Sequence, residues 1–140
     1  MQGPNRYVLD SYAVIGYLEN ESFSDRIQHA LTQAKKGNLR LYFHAIHLGE
    51  VYYITWREQG RNVAELAYAR IKALPLNLID RIDEELLLTA AGLKARHPLS
   101  YADCFAAALA MIKNCHLLTG DPEFRSLEKE AMLSIEWLIS

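Results

Sequence analysis

Short apolar segments alternate with longer amphipathic segments along the chain. The short segments are rich in Val, Ile, Leu and aromatic residues and are bounded by polar or turn-forming residues, which is typical of buried strands. The predicted strands are YVLD at 7–10, LRLYF at 39–43, LNLIDR at 76–81, HLLTG at 116–120 and LSIEWL at 133–138.

Between these strands, apolar residues recur every three or four positions, as in an amphipathic helix. The predicted helices cover 11–20, 22–36, 44–59, 62–74, 83–96 and 100–114, with a short helix from 121. Residues suited to cap a helix stand at several of these starts: Ser11, Asn62, Asp83, Ser100 and Asp121.

Strands that alternate with helices predict an α/β fold, here a three-layer α/β/α sandwich around a mostly parallel sheet of about five strands. No linker, repeat or low-complexity tract interrupts the 140 residues. We therefore expect a single domain over 1–140, with a flexible N-terminus at 1–5. No apolar run approaches the ~20 residues of a membrane span, and no signal-peptide pattern is present, so the expected compartment is the cytoplasm.

The composition argues against several classes of protein. Hydrophobic residues make up 51% and charged residues 23% of the chain, and the formal net charge is -2. A disordered chain would have fewer hydrophobic residues, and a strongly basic nucleic-acid binder would have a positive net charge. Any contact with RNA must therefore come from a local patch of basic residues. The two cysteines, Cys104 and Cys115, are too few for a disulfide framework, and if both lay on one helix they would be about 16 Å apart, so we expect both to be reduced.

Two acidic residues follow predicted strands. Asp10 comes directly after the first strand, and Asp121 follows the fourth strand after Thr119-Gly120. Ligands of parallel α/β sheets gather beyond the carboxyl ends of the strands, which favours a shared site. Each acid also has a simpler interpretation as a helix cap, and Pro122 strengthens that interpretation for Asp121.

Glu50 lies within the predicted helix 44–59. Its neighbours one turn away are mostly apolar: Ile46, His47, Tyr53 and Ile54. An acid in this setting is expected to point inward, where an unpaired charge is costly. The alternative is a surface ion pair with Arg57.

Asp103 begins the alanine-rich helix. Ser100 and Asp103 form a capping-box pattern, which explains this acid without a site. However, Asp103 shares a helical face with Leu99, Ala106 and Ala107, and the small alanine side chains allow another backbone to approach closely. Both interpretations remain open from the residues alone.

In an α/β sandwich these four acids can meet at one end of the sheet. At ~4 Å and an effective dielectric constant near 20, each pair of like charges costs about 4 kcal/mol. Protons or a divalent cation make such a cluster tolerable. Donor sets made only of oxygen favour Mg²⁺ or Mn²⁺ over zinc.

Four segments together resemble the acidic motifs of PIN-domain ribonucleases, in particular VapC-type toxins of type II toxin–antitoxin pairs. The segments are YVLDSYAVIGYLEN, HLGEVYYI, LSYADCFAAALA and LLTGDPEF. The resemblance implies a catalytic, metal-binding cluster of Asp10, Glu50, Asp103 and Asp121, and supporting hydroxyl groups on Ser11, Ser100 and Thr119. It also implies a Mg²⁺- or Mn²⁺-dependent endoribonuclease, a homodimer and a small antitoxin whose tail covers the active site.

His47 departs from the family pattern, because relatives often have Asn there. His47 is predicted to contact substrate, as His44 could; the alternative is that both are partly buried and bonded locally. Scattered basic residues are expected to guide RNA: Arg57, Arg61, Lys94, Arg96 and Arg125.

Other functions fit the sequence less well. A phosphatase with Asp10 as nucleophile would need a second acid at Tyr12, and a zinc site of His44, His47 and Glu50 lacks the HExxH arrangement. No P-loop or dinucleotide-binding glycine motif occurs. A catalytically inert PIN-like interaction module remains as the alternative, with a surface of aromatic residues: Tyr52, Tyr53, Trp56 and Tyr68.

Overall fold

The computed structural model describes residues 5–130 and 133–139, and its centre is one sheet of five parallel strands. The strands are β1 (Arg6–Leu9), β2 (Arg40–His44), β3 (Asn77–Ile79), β4 (His116–Thr119) and β5 (Ser134–Trp137). The strand order is β3-β2-β1-β4-β5. Of the predicted flexible segment 1–5, residues 1–4 lie outside the described residues.

Helices cover both faces of the sheet. They are α1 (Ser11–Leu18), α2 (Ser24–Lys35), α3 (Ala45–Gln59), α4 (Arg61–Lys72), α5 (Glu84–Arg96) and α6 (Tyr101–Lys113), followed by a 3₁₀ helix (Pro122–Leu127). The predicted α/β/α sandwich with a parallel sheet is confirmed.

Alternate residues of the central strands enter two separate cores. Val8 and Leu117 pack with the core on the side of α5 and α6, whereas Leu9 and Leu118 pack with the core on the side of α1, α2 and α3. This is the alternation expected for a strand buried on both faces. A run of fully buried alanines lets α6 lie close to the sheet.

Two predicted helix starts are corrected. Asp10, not Ser11, caps α1, because its Oδ1 accepts a hydrogen bond from the Ala13 amide at 2.9 Å. Asn62 does not cap α4, which begins at Arg61. Gly60 ends α3 and directly precedes α4. Its φ is 91°, a backbone conformation that residues with a side chain rarely adopt.

The strand order places a crevice between β1 and β4. The chain adds β2 and β3 on one side of β1 and then returns to add β4 and β5 on the other side. Leu9 pairs in register with Leu118, so Asp10 and Thr119 come next to each other at the carboxyl ends of these strands. Open parallel sheets bind ligands at such a reversal of strand order.

None of the helices among the described residues has the length and apolar character needed to span a membrane.

Candidate metal centre

Asp10 lies buried at the carboxyl end of β1. Its Oδ1 accepts from the Ala13 amide at 2.9 Å, and its Oδ2 accepts from Thr119 Oγ1 at 2.5 Å. Burial raises the pKa of the Asp10 carboxyl to about 7, and the two hydrogen bonds only partly oppose this shift. Asp10 therefore acts as a helix cap and also carries a charge that its surroundings disfavour.

The Thr119 hydroxyl joins the ends of β1 and β4. It donates to Asp10 and accepts from the Asp121 amide at 3.0 Å. Asp121 in turn caps the 3₁₀ helix, since its Oδ1 accepts from the Glu123 amide at 3.0 Å. The capping interpretation of Asp121 holds, and it leaves the carboxylate beside the end of β4.

Glu50 reaches the same region from the first half of α3. Ser11 Oγ donates to its Oε1 at 3.0 Å. Burial raises the pKa of the Glu50 carboxyl, and the Ser11 hydrogen bond lowers it to a smaller extent. Within 5–130 and 133–139 no ion pair joins Glu50 to Arg57, whose guanidinium instead lies 5.1 Å from the centre of the Tyr53 ring.

Asp103 enters from the first turn of α6. Ser100 caps this helix by accepting from the Asp103 amide at 3.1 Å. Burial raises the pKa of the Asp103 carboxyl to about 6, and negative charge on Asp121, Glu50 and Glu123 adds to the shift. The side chain is therefore both part of a helix start and close to other acids.

Three carboxylates form the tightest group. Asp103, Asp121 and Glu123 each offer an oxygen within 4.8 Å of the other two. Asp10 and Glu50 lie outside this group of three, but Asp103 and Asp121 raise the pKa of Asp10, and Glu50 raises that of Asp103. All four predicted acids thus approach one another, and Glu123 joins them.

Glu123 is missing from the set predicted from the sequence. Its only signal there is the spacing Asp-Pro-Glu, which reads as an acidic first turn of a short helix. In the structure the tight 3₁₀ turn places Glu123 beside its own cap residue, Asp121, and so beside Asp103.

The donor set fits a divalent cation. All five acids offer oxygen, the preferred donor of Mg²⁺ and Mn²⁺. Among the residues that the structure describes, no lysine, arginine or histidine forms a salt bridge with any of them. Within the described part of the chain, ion pairs therefore do not relieve the repulsion between the carboxylates.

The structure corrects the prediction of a substrate contact for His47. Its side chain is fully buried, and its Nε2 lies 2.8 Å from the Ala102 carbonyl oxygen. Burial lowers the pKa of His47 to about 4, so the ring is neutral at pH 7. His44 is buried as well, with Nδ1 accepting from the Ile46 amide and Nε2 beside the Arg81 carbonyl. The interpretation as locally bonded, buried residues is the one that fits.

The predicted basic residues differ in their surroundings. Lys94 donates to the Leu99 carbonyl at 2.6 Å, and Arg96 pairs with Glu130 at 3.0 Å. Arg125 is exposed on the 3₁₀ helix that carries Glu123. A role in binding substrate stays a prediction for Arg57 and Arg125.

Comparison with known proteins identifies the family. Residues 7–130 match the PIN domain family. No curated protein sequence gives a significant match to this chain.

Solved structures share the fold at low sequence identity. VapBC2 from Rickettsia felis, bound to a promoter DNA fragment, superposes with a TM-score of 0.71 and 17% identity over 94% of this chain and 97% of that one. VapBC-5 from Mycobacterium tuberculosis, a member of the VapBC family of toxin–antitoxin systems, superposes with a TM-score of 0.66 and 15% identity. The match covers 96% of this chain and 99% of that one. VapC20 from the same organism, a toxin that cleaves the sarcin–ricin loop, gives 0.64 and 17% over 88% and 95%.

The family match spans most of the 140 residues, and the acidic crevice lies within it. The chain belongs to the PIN domain family.

Proposed function

We propose that this protein is a Mg²⁺- or Mn²⁺-dependent endoribonuclease and the toxin of a VapC-type toxin–antitoxin pair. The observation that carries the proposal is the convergence of Asp10, Glu50, Asp103, Asp121 and Glu123 at the reversal of strand order, with no basic partner among the described residues. A charged cluster of this kind is costly to fold unless it binds a cation.

In this proposal the five carboxylates hold one or two divalent ions. A bound ion would lower the pKa of a water molecule, and this water would attack the phosphate. The ion would also neutralise negative charge on that phosphate. The chain's hydroxyl groups orient the acids: Thr119 holds Asp10, and Ser11 holds Glu50. Partners of this kind fix the direction of a ligand's lone pairs, and their loss weakens metal sites.

RNA is the proposed substrate because the family resemblance implies it and because a relative of the same fold, VapC20, is a toxin that cleaves the sarcin–ricin loop. The test is a cleavage assay against tRNA, rRNA and mRNA, with Mg²⁺ or Mn²⁺ and with chelator. We expect divalent-dependent cleavage by the wild type and a loss of roughly a hundredfold or more in Asp103→Asn.

Asp80→Asn is the matched control, since Asp80 follows β3 as Asp10 follows β1 but is exposed and outside the cluster. It should cleave as the wild type does. Folded Asp103→Asn with undiminished activity would rule the proposed chemistry out.

The proposed antitoxin has a candidate binding groove between α1, α3 and α4. The groove has a volume of about 500 Å³, and its apolar lining includes Ile15, Leu18, Val63 and Leu66. Leu66 belongs to this lining and is 71% exposed, so the groove leaves apolar surface open to a partner. This surface suits the apolar face of a helix from a small partner.

Leu66→Glu should prevent co-purification with the product of a small reading frame beside the gene, while RNA cleavage is retained. Leu88→Glu, at a 61% exposed leucine on α5, should leave co-purification intact. Equal capture by both variants would remove this groove from the proposal.

We further propose that the toxin is a cytoplasmic homodimer, as the family resemblance implies. Light scattering should give twice the chain mass of 16.0 kDa. A mass of one chain at all concentrations would contradict the dimer.

A further inference from the structure

A cavity of about 260 Å³ opens beside the acidic cluster. It is lined by Tyr12, Gly120, Pro122, Arg125, Trp137 and Ile139. Gly120 and Pro122 flank Asp121 in the chain, so the wall of the cavity and one member of the acidic cluster share the same stretch of backbone. Nothing in the proposed metal chemistry uses this space.

The lining combines aromatic rings with one cation. The Arg125 guanidinium lies 4.5 Å from the centre of the Trp137 ring, which is half-buried at the end of β5. Tyr12 is held in place by stacking on Phe23, with ring centres 5.7 Å apart and planes 20° from parallel. Rings and guanidinium planes fixed in this way are the surfaces on which proteins stack nucleobases.

The backbone at Gly120 approaches the cavity closely. A Cβ atom added there would lie 2.8 Å from Tyr12 Cε1 and 3.2 Å from Ile139 Cδ1. Only a residue without a side chain lets Tyr12 and Ile139 approach the turn that carries Asp121. The cavity is therefore built directly against the acidic cluster.

The size and charge of the surroundings limit what the cavity can bind. Its volume is below the roughly 300–1,000 Å³ of sites for larger ligands, so it suits one planar ring system. Asp121 lies between Gly120 and Pro122 of the lining, so a carboxylate stands beside the cavity, and Arg125 adds a cation to its wall. A neutral base is compatible with both charges.

We propose that this cavity binds one nucleobase of the RNA strand next to the phosphate held at the acidic cluster, and so selects the base beside the cleaved bond. The inference rests on the proposed ribonuclease function. Tyr12, Arg125 and Trp137 are the base-binding residues in this scheme.

Tryptophan fluorescence tests base binding without catalysis or metal. The chain has two tryptophans, Trp56 and Trp137, so Trp56→Phe reports on Trp137 alone. In the presence of chelator, adenosine, guanosine, cytidine and uridine are titrated one at a time. We expect saturable quenching by at least one nucleoside in Trp56→Phe and none in Trp137→Phe, which retains only Trp56, a residue outside the lining of this cavity. Linear or absent quenching by all four nucleosides would overturn the inference.

Cleavage kinetics separate this inference from the proposed function. Arg125→Gln, at an exposed position, and Trp137→Leu should each raise KM by roughly tenfold or more and weaken the base preference. Both should bind Mn²⁺ as the wild type does. Trp56→Leu is the matched control, because Trp56 also lies beneath an arginine, Arg61 at 5.1 Å, but lies outside this cavity.

If the wild type cleaves RNA and both variants keep its KM and base preference, the base site is wrong and the nuclease stands. If no RNA is cleaved but nucleosides quench Trp137, the nuclease proposal fails; the cavity then binds a nucleobase, but its role in selecting the base beside a cleaved bond fails too.

Discussion

At the scale of single residues, Asp10 shows how a structural role and a chemical role can share one side chain. One oxygen caps α1 and the other accepts from Thr119, while burial raises the pKa of the carboxyl to about 7. The hydrogen bond of a helix cap alone needs no such burial. The cost of charging this site is the physical reason to expect a cation there.

This cost predicts how the stability of Asp10→Asn depends on pH. The pKa of Asp10 rises from 3.8 to about 7 on folding, so the folded state binds more protons than the unfolded state between these values. Metal-free wild type should therefore lose stability as the pH rises from about 4 to about 7, by up to about 4 kcal/mol. Asp10→Asn, which has nothing to ionise, should be the more stable protein at pH 8.

Urea unfolding with chelator measures the difference. The free energy of unfolding of Asp10→Asn should exceed that of the wild type by about 2 kcal/mol or less at pH 5. At this pH the wild-type carboxyl is largely protonated in the folded state. An advantage that stays the same at pH 5 and pH 8 would show that charge burial at Asp10 is not its cause.

Glu123 predicts a second result at this scale. Because it offers an oxygen within 4.8 Å of those of Asp103 and Asp121, Glu123→Gln should lower the affinity for Mn²⁺ roughly tenfold. Glu128→Gln is the control, since Glu128 follows the same 3₁₀ helix and instead pairs with Arg125. Equal affinity in the two variants would exclude Glu123 from the metal site.

At the scale of elements, His47 connects the two helices that carry Glu50 and Asp103. Its ring on α3 lies 2.8 Å from the Ala102 carbonyl on α6. The neutral ring can donate one proton to that carbonyl, which fixes the distance between the helices. We infer that His47 maintains the spacing of Glu50 and Asp103 through this contact between their helices.

His47→Leu should lower the free energy of unfolding by about 1 kcal/mol at pH 7, because the hydrogen bond is lost. The pKa of His47 falls from 6.5 to about 4 on folding, so the unfolded state binds more protons in this range. Wild type should lose stability as the pH falls from 6.5 towards 4, and the deficit of His47→Leu should narrow there. Chemical unfolding across this range is the measurement.

His29→Leu, at an exposed histidine on α2, is the control and should match the wild type at every pH. The role of the buried ring would be contradicted if His47→Leu had the same free energy of unfolding as the wild type at pH 7. It would also be contradicted if the difference between the two proteins grew as the pH fell.

Much of the element list follows from the sequence, because apolar spacing and capping residues are local signals. Asp83 and Ser100 cap the helices that they were predicted to open. The misplaced starts were those with competing signals: Asp10 beside Ser11, and Gly60 shortly before Asn62. Glu123 is missing from the predicted set because its position depends on a 3₁₀ turn, which leaves no spacing pattern of its own.

At the scale of the whole molecule, the site depends on strand order. The acids come from β1, α3, α6 and the turn after β4, and they meet because β4 returns to pair with β1. Local patterns predict strands but do not say which strands become neighbours. The α/β class and the family motifs predict that the acids converge. The pairing of Leu9 with Leu118 shows how, because it brings the ends of β1 and β4 next to each other.

The same topology explains how the burial of charge at the ends of β1 and β4 is tolerated. Two hydrophobic cores on opposite faces of the sheet stabilise the fold, and the crevice at the strand ends belongs to neither. Stability gained in the cores can offset repulsion among the acids. Metal binding to the folded protein should then add to stability by RT ln(1 + c/Kd) for each site, where c is the concentration of free metal ion.

Calorimetric titration of the chelator-treated protein with Mn²⁺ at pH 7.5 tests the central claim most directly. Wild type and Asp80→Asn should bind one or two ions per chain with equal affinity, and Asp103→Asn should bind roughly tenfold more weakly or not at all. A wild type that takes up no Mn²⁺, or a folded Asp103→Asn that binds it equally well, would contradict a metal centre at these carboxylates.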